Sequence, residues 1–318
     1  MDGGEALVLN GKILVANTGD DTLTCIDLKN KRAVETIDLK KLIKNNNVKS
    51  FTLDSLFIGP YEMVSNGRGL IYCTNAYDNS VFKIDIENKK IIDVISVGSF
   101  PTCIRYFKHH LYITNSDSNS ISIIDEESFS LVENIPVGEK PTDIEIDENE
   151  MKIYVANSNG YSINIIDLMG KENRIIKLKD NPVKTIIEDG TMYILFSVNN
   201  STIGNSNISV MDLQNYEKHE IFNLQGIFNS MLKINGGELV FLTNIDNGCL
   251  YRIDIKKGNL LSKTYLTGMP NKLEWDGDNV IYISNISTNT LSIFDIHENR
   301  ITNNIKIGRE PNGILILN

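Results

Sequence analysis

One short apolar strand ending in asparagine returns along the whole chain. ILVAN ends at Asn17, IYCTN at Asn75, LYITN at Asn115, IYVAN at Asn157, VFLTN at Asn244 and IYISN at Asn285. YILF, ending at Phe196, holds the same place without the Asn. The seven copies follow one another at steps of 39 to 58 residues. Ten residues after each Asn an Asp ends a second apolar strand: Asp27, Asp85, Asp125, Asp167, Asp254 and Asp295. The fifth copy carries Asp212, sixteen residues after Phe196. A proline precedes most copies by 14 to 16 residues, at Pro60, Pro101, Pro141, Pro182 and Pro270, and Pro311 opens one more copy at the C-terminus. The sixth copy has QGIFNS in that place. A chain made of one repeated unit buries the faces of each unit against its neighbours.

Within a unit, alternation and β-branched residues mark about four strands, and Asn, Asp and Gly punctuate the turns. In the copy opening at Pro141 the strands read TDIEI, KIYVAN, SINIIDL and NRIIKL. No segment sustains a helical period; LKKLIKNNN comes nearest and is short. About forty residues and four strands is the size of a WD40-like propeller blade. One blade cannot bury both of its faces, whereas a closed ring of blades can. The expectation is an all-β fold: a single seven-bladed β-propeller of four-stranded blades, one domain over residues 1–318. EALVLN near the start and GILILN at the end both suit the innermost strand of the first blade. The ring is expected to close there, with the C-terminal strand completing the blade begun by the N-terminal strands. The alternative is a chain cut from a longer one.

The segments LYITN, IYVAN, IYISN, IIDL, PVGEKP and KIGREP resemble the YVTN family of β-propeller repeats, and the resemblance covers nearly the whole chain. In that family Tyr-Val-Thr-Asn strands alternate with Ile-Asp strands and a Val-Gly-x-x-Pro turn. The resemblance implies the propeller and leaves function open, because one scaffold carries many different sites. Related propellers include lactonases and cofactor-binding dehydrogenase subunits, and many others look like binding proteins without known chemistry.

Composition narrows the function classes. The net charge is −10, and the 31 Lys and Arg are scattered, often in turns such as ENKK and IKKG. A nucleic-acid groove needs clustered cations, so no nucleic-acid partner is expected. No apolar run in the sequence approaches the roughly 18–20 residues of a membrane span. The start, MDGGEALVLNGKILVAN, lacks the segments of a signal peptide. A cytoplasmic chain is expected as given, or a surface or secreted one if a leader has been removed. Cys25, Cys73, Cys103 and Cys249 fit no metal spacing and read as free thiols. His109, His110 and His297 fall in turns on one face and His219 starts an outer strand. Neither a His acid–base pair nor a His-bound metal is expected at the usual propeller mouth. No nucleophile elbow, P-loop or dinucleotide motif is present, and no cofactor is expected.

Alternating strand direction puts the Asn-rich turns (NTGDDT, NAYDNS, NSDSNS, NISTNT) on one face with the Gly-x-x-Pro crossovers. That face is the top. Two insertions, about residues 40–58 and 197–207, are also expected there, where long loops on a rigid scaffold carry binding residues. The candidate ligand site is the top channel mouth, beside the crossovers: Tyr61, Glu62, Arg105, Lys140, Asp143, Lys272, Arg309 and Asn312. Phe100, Thr102, Thr142, Lys179, Asp180, Asn271 and Glu310 flank them. Arg105 and Arg309 would clamp a small anion through their planar forks. A metal could use Glu62 and Asp143 if the two converge. Two functions compete. One is a non-catalytic binding or scaffold protein, monomeric, holding a protein, peptide or glycan partner on its top face. The alternative is a channel-mouth enzyme of the lactonase-like or metal-assisted hydrolase type. The missing catalytic motifs favour the first.

Overall fold

The computed structural model describes residues 11–46, 57–170, 173–198 and 204–317. These residues form seven antiparallel sheets of four strands each, arranged as a seven-bladed β-propeller. Blade 3 shows the plan from the inside outwards: Pro101–Phe107, His110–Asn115, Ser120–Asp125 and Ser130–Pro136. Blade 1 takes its innermost strand from the far end of the chain. Pro311–Leu317 pairs with Lys12–Asn17, Ile314 opposite Val15, so GILILN closes the ring. EALVLN lies outside the described residues. The innermost strands of successive blades touch all the way round, including Pro311–Leu317 against Pro60–Ser65.

The core lies between blades rather than inside any one of them. Each interface between neighbouring blades holds its own apolar cluster, such as Phe107, Tyr112 and Ile123 of blade 3 against Ile144, Ile153 and Val155 of blade 4. Leu14 and Cys25 of blade 1 likewise meet Ile71 and Phe82 of blade 2. Single blades therefore gain their burial only from their neighbours.

The repeated residues have structural work to do. The six strand-ending asparagines are fully buried. Asn115 Nδ2 donates to Ser120 Oγ at 3.1 Å and Ser122 Oγ at 2.9 Å, clamping the top turn. Asn17 reaches Thr24 Oγ1 at 2.8 Å in the same way. The crossover glycine then lies against that amide. A Cβ on Gly98 would sit 2.6 Å from Asn115 Cγ, and one on Gly138 2.7 Å from Asn157 Cγ. Glycine is required here for close approach. The residue before the proline is left-handed, with φ 55° at both Phe100 and Lys140. Its amide donates back to the preceding blade's turn: Phe100 N to Asn79 Oδ1 and Lys140 N to Asn119 Oδ1, each at 2.9 Å. Among the described residues, the top turns of six blades also bond the crossover entering their own blade, as in Ser116 N to Phe100 O at 3.0 Å, so turns and crossovers do share one face. On the other face the repeated Asp caps the bottom turn, Asp125 Oδ1 accepting Ser128 N at 2.8 Å.

The first insertion leaves from and returns to the top turn of blade 1, Leu39 N donating to Asp21 O at 3.1 Å and Ile58 N to Asp21 Oδ1 at 2.8 Å, but it includes a helix that the sequence did not lead one to expect. Its described part is a helix, Leu39–Asn46, packed against the outermost strands Arg32–Asp38 and Lys90–Ser96. Leu39 and Ile43, four residues apart on one helical face, are buried in the cluster between blades 1 and 2. Apolar burial therefore holds this segment at the outer edge rather than over the channel. Residues 47–56, and residues 199–203 of the second insertion, lie outside the described residues. Among the described residues, no helix is long and apolar enough to cross a membrane.

Candidate functional site

Every innermost strand has a register shift near its start, as between Pro60 and Met63, Pro141 and Asp143, or Pro270 and Leu273. A bulge re-aims side chains. Here it lets two successive residues after the proline position reach the channel. Tyr61 and Glu62, Thr142 and Asp143, and Asn271 and Lys272 all line one cavity of about 230 Å³ at the top mouth. Four residues after the proline on the innermost strands of blades 3, 4 and 7, Arg105, Glu145 and Glu274 follow.

The charged groups form one connected network. Lys272 Nζ lies 2.5 Å from Glu62 Oε1, and Arg105 reaches the same oxygen at 3.3 Å. Arg105 also meets Asp143 and Glu145, both at 3.4 Å. Lys184 holds Asp143 Oδ1 at 2.8 Å and Glu145 at 3.4 Å. Thr185 adds its N–H and hydroxyl to Asp143 Oδ2 at 2.8 and 2.9 Å. Burial pushes the Glu62 and Asp143 carboxyls up. The cations beside them, Lys272 and Arg105 for Glu62 and Lys184 and Arg105 for Asp143, reverse that and hold both below the usual carboxylate range. Lys184 is raised in turn, because Asp143 and Glu145 outweigh its own desolvation. Glu274 differs. It makes no ion pair among the described residues, and burial raises its pKa, with Lys272 opposing and Glu62 reinforcing the shift.

Above the network the mouth has two unlike walls. Tyr61 and Phe100 lie on one side, ring centroids 6.3 Å apart, and Tyr77 stands 6.2 Å beyond Phe100. Burial pushes the Tyr61 hydroxyl up to about 12. On the other side, Asn229, Asn271 and Asn312 form a chain of amide hydrogen bonds.

Six of the eight sequence candidates line this cavity: Tyr61, Glu62, Lys140, Asp143, Lys272 and Asn312. Arg105 lies below them with its guanidinium engaged by three carboxylates. Arg309 is elsewhere. Its Nε bonds Asp20 Oδ1 at 2.5 Å and its Nη2 bonds Gly19 O at 2.9 Å, both on the exposed top turn of blade 1. That turn lies against the crossover into blade 1, so Asp20 captures the arginine before it reaches the channel. The pair Arg105 and Arg309 is therefore not a clamp. Lys179 and Asp180 border a separate hollow beside Val198 and Asn205. Sequence reading missed Lys184, Ser230, Asn229, Glu145 and Glu274. Their signal was present: each stands one, two or four places after the crossover proline or its counterpart Phe228. Among the described residues, no group of three or more His, Cys, Asp or Glu is placed to hold a metal ion.

A second polar cluster sits on the bottom, between blades 2 and 3. Where six sister repeats have Leu or Ile after the Asp, blade 3 has Glu126. Its carboxylate accepts Tyr72 Oη and Arg68 Nη2, each at 2.7 Å, and Asn66 Nδ2 at 2.9 Å. His109 Nδ1 lies 3.4 Å away, which gives this bottom-turn histidine a structural partner. The other landmarks are plain. Cys25, Cys73 and Cys103 are buried free thiols and Cys249 is half-buried. Trp275 donates to Asp278 O at 3.2 Å and packs in the core between blades 6 and 7.

No protein-family model and no curated protein matches the chain. Solved structures do. A Lactobacillus plantarum protein is 9% identical with a TM-score of 0.76, covering 98% of this chain and 100% of its own. A Bacteroides fragilis chain, given as a candidate 6-phosphogluconolactonase, is 11% identical with a TM-score of 0.72, covering 100% and 99%. Hydrazine synthase of Kuenenia stuttgartiensis is 17% identical with a TM-score of 0.70, covering 84% and 92%. At such identities the likeness establishes the propeller fold and nothing of its chemistry.

Proposed function

We propose that this chain is a non-catalytic binding propeller, one domain of YVTN-type repeats, whose top face receives a protein, peptide or glycan partner. One observation supports the reading: the carboxylates lining the cavity are already neutralised by the protein, while its rim offers polar and aromatic side chains without hydrogen-bond partners among the described residues. Glu62 and Asp143 are the groups that acid–base chemistry would use. Their ion pairs keep both ionised well below neutral pH, whereas a general acid or base works best near the operating pH. Lys140, Tyr61 and Phe100 stand open at the rim instead, and such aromatic and cationic groups anchor partners.

The enzyme reading keeps one observation in its favour, Glu274, which has no ion pair among the described residues and a raised pKa. Two assays separate the readings. Peptide and glycan arrays are probed with the wild-type chain and with Thr142→Trp, which fills the cavity. Lactone and ester hydrolysis is measured with wild type and Glu274→Gln. Binding lost in Thr142→Trp, with no turnover, supports the binding role. Turnover abolished by Glu274→Gln overturns it.

A further inference from the structure

The amide chain at the mouth runs in one direction. Asn229 Nδ2 donates to Asn271 Oδ1 at 2.8 Å, Asn271 Nδ2 to Asn312 Oδ1 at 2.7 Å, and Asn312 Nδ2 to Thr18 Oγ1 at 2.6 Å. Amide orientation is an assignment that a hydrogen-bond network must justify. Here the far end justifies it. Thr18 Oγ1 gives its single proton to Pro60 O at 2.7 Å, so it can only accept from Asn312. Asn312 must then present its oxygen to Asn271, and Asn271 its oxygen to Asn229. The Asn229 oxygen in turn receives Thr243 Oγ1 at 2.7 Å, the shorter of that hydroxyl's two contacts, the other being Asn271 O at 3.2 Å.

The consequence is an excess of donors. Each of the three amide oxygens already receives a proton from the protein. Asn312 uses its second N–H on Glu310 O at 3.2 Å. Asn229 and Asn271 each keep one N–H without a partner among the described residues, and both residues line the cavity. The Lys140 ammonium and the Tyr61 hydroxyl on the other side are also unbonded among the described residues. Of the charges lining the cavity, Glu62 and Lys272 pair, Asp143 and Lys184 pair, and Lys140 is left over. Two groups speak for the opposite ligand: Glu62 Oε2 receives no donor among the described residues, because Lys272 and Arg105 both sit on Oε1, and Glu274 just below makes no ion pair among them. The cavity of about 230 Å³ has room for a small headgroup and the first atoms behind it.

We infer that the cavity takes an oxyanion, a carboxylate or a phosphate, at the tip of the bound partner, held by the free N–H groups of Asn229 and Asn271 and by Lys140. The inference rests on the top-face binding role proposed above and names the chemistry that enters the channel. Charge-assisted hydrogen bonds of this kind are about twice as strong as neutral ones. Glu62 sets the competing outcome, since a cation would go to its unused oxygen.

Isothermal titration of the full chain at constant ionic strength tests it, with sodium acetate, inorganic phosphate and methylammonium as probes. A short peptide with a free C-terminus is compared with its C-terminal amide. Acetate or phosphate is expected to saturate and methylammonium not to; preference for the free peptide assigns carboxylate, and preference for phosphate assigns phosphate. Lys140→Gln is expected to weaken the bound oxyanion about tenfold. Lys140 is exposed, so this variant folds; Asn271→Leu, checked by circular dichroism, is expected to lose binding. Tighter binding of methylammonium, no oxyanion binding, or unchanged affinity in Lys140→Gln overturns the inference. If array partners bind and Thr142→Trp blocks them, but neither acetate nor phosphate competes, the binding role survives and the oxyanion falls. If oxyanions bind and no array partner does, the binding role falls alone.

Discussion

Replacing Glu126 by glutamine tests whether a single buried carboxylate ties blade 2 to blade 3. Glu126 is 5% exposed and stands where six sister repeats carry Leu or Ile. Burial alone would push its pKa up. Hydrogen bonds from Tyr72, Asn66 and His109, with the charge of Arg68, bring it down to about 2. An unfolded glutamate titrates near 4.3, so the drop corresponds to roughly 3 kcal/mol of native-state stability. The folded pKa lies below the unfolded one. The contribution is therefore complete above about pH 5 and is lost as pH falls towards 2. Glu126→Gln keeps the shape, removes the charge and turns an amide N–H towards Arg68 or Tyr72. The expected loss is about 2–3 kcal/mol at pH 7, or roughly 4 °C in the unfolding midpoint for a chain of this size. Urea unfolding of wild type and variant at pH 7, 5 and 3 reads it. The gap should be widest at pH 7 and should shrink clearly by pH 3, as the wild type begins to lose its own contribution. A gap that is absent at pH 7, or equally wide at pH 3, refutes the assignment. Glu126→Leu alone should also cost stability, because Tyr72 loses its partner. Adding Tyr72→Phe should recover part of that loss, since removing both partners of a buried bond costs less than removing one.

Four further outcomes follow from the geometry. Gly98→Ala places a Cβ 2.6 Å from Asn115 Cγ, so a loss of about 1–3 kcal/mol is expected in chemical unfolding, whereas Gly11→Ala, with open space around it but a φ of 76°, should pay only for backbone strain. Lys184→Met leaves Asp143 buried with the Thr185 donors and one more distant cation, Arg105, and should cost about 3 kcal/mol; the double variant Lys184→Met/Asp143→Leu should be milder. In the native chain a thiol reagent should label Cys249 first and leave Cys25, Cys73 and Cys103 unmodified until denaturant is added, which a timed mass measurement will show. Truncation after Ile307 removes Pro311–Leu317, opens the ring and bares the edge of Lys12–Asn17, so aggregation on size-exclusion chromatography is expected.

The repeat was legible in the sequence because it answers local demands that recur in every blade. Asn115 clamps a turn, Gly98 admits a close approach, and Asp125 caps the opposite turn, and each task involves residues near in sequence or one blade away. Seven copies of that local grammar determine seven blades, and burial between them requires a ring. The channel is another matter. Lys272 and Glu62 are 210 residues apart and meet at 2.5 Å only because the ring has closed. Arg309, promising as a binding residue from its place beside a crossover, is captured by Asp20, a partner 289 residues distant. Neither pairing has a periodic signature. The sequence alone therefore determined the scaffold, the faces and most of the residues at the mouth. Only the tertiary structure decided which charges neutralise one another and which donors stay open, because those depend on distances across the channel between blades that no local pattern encodes.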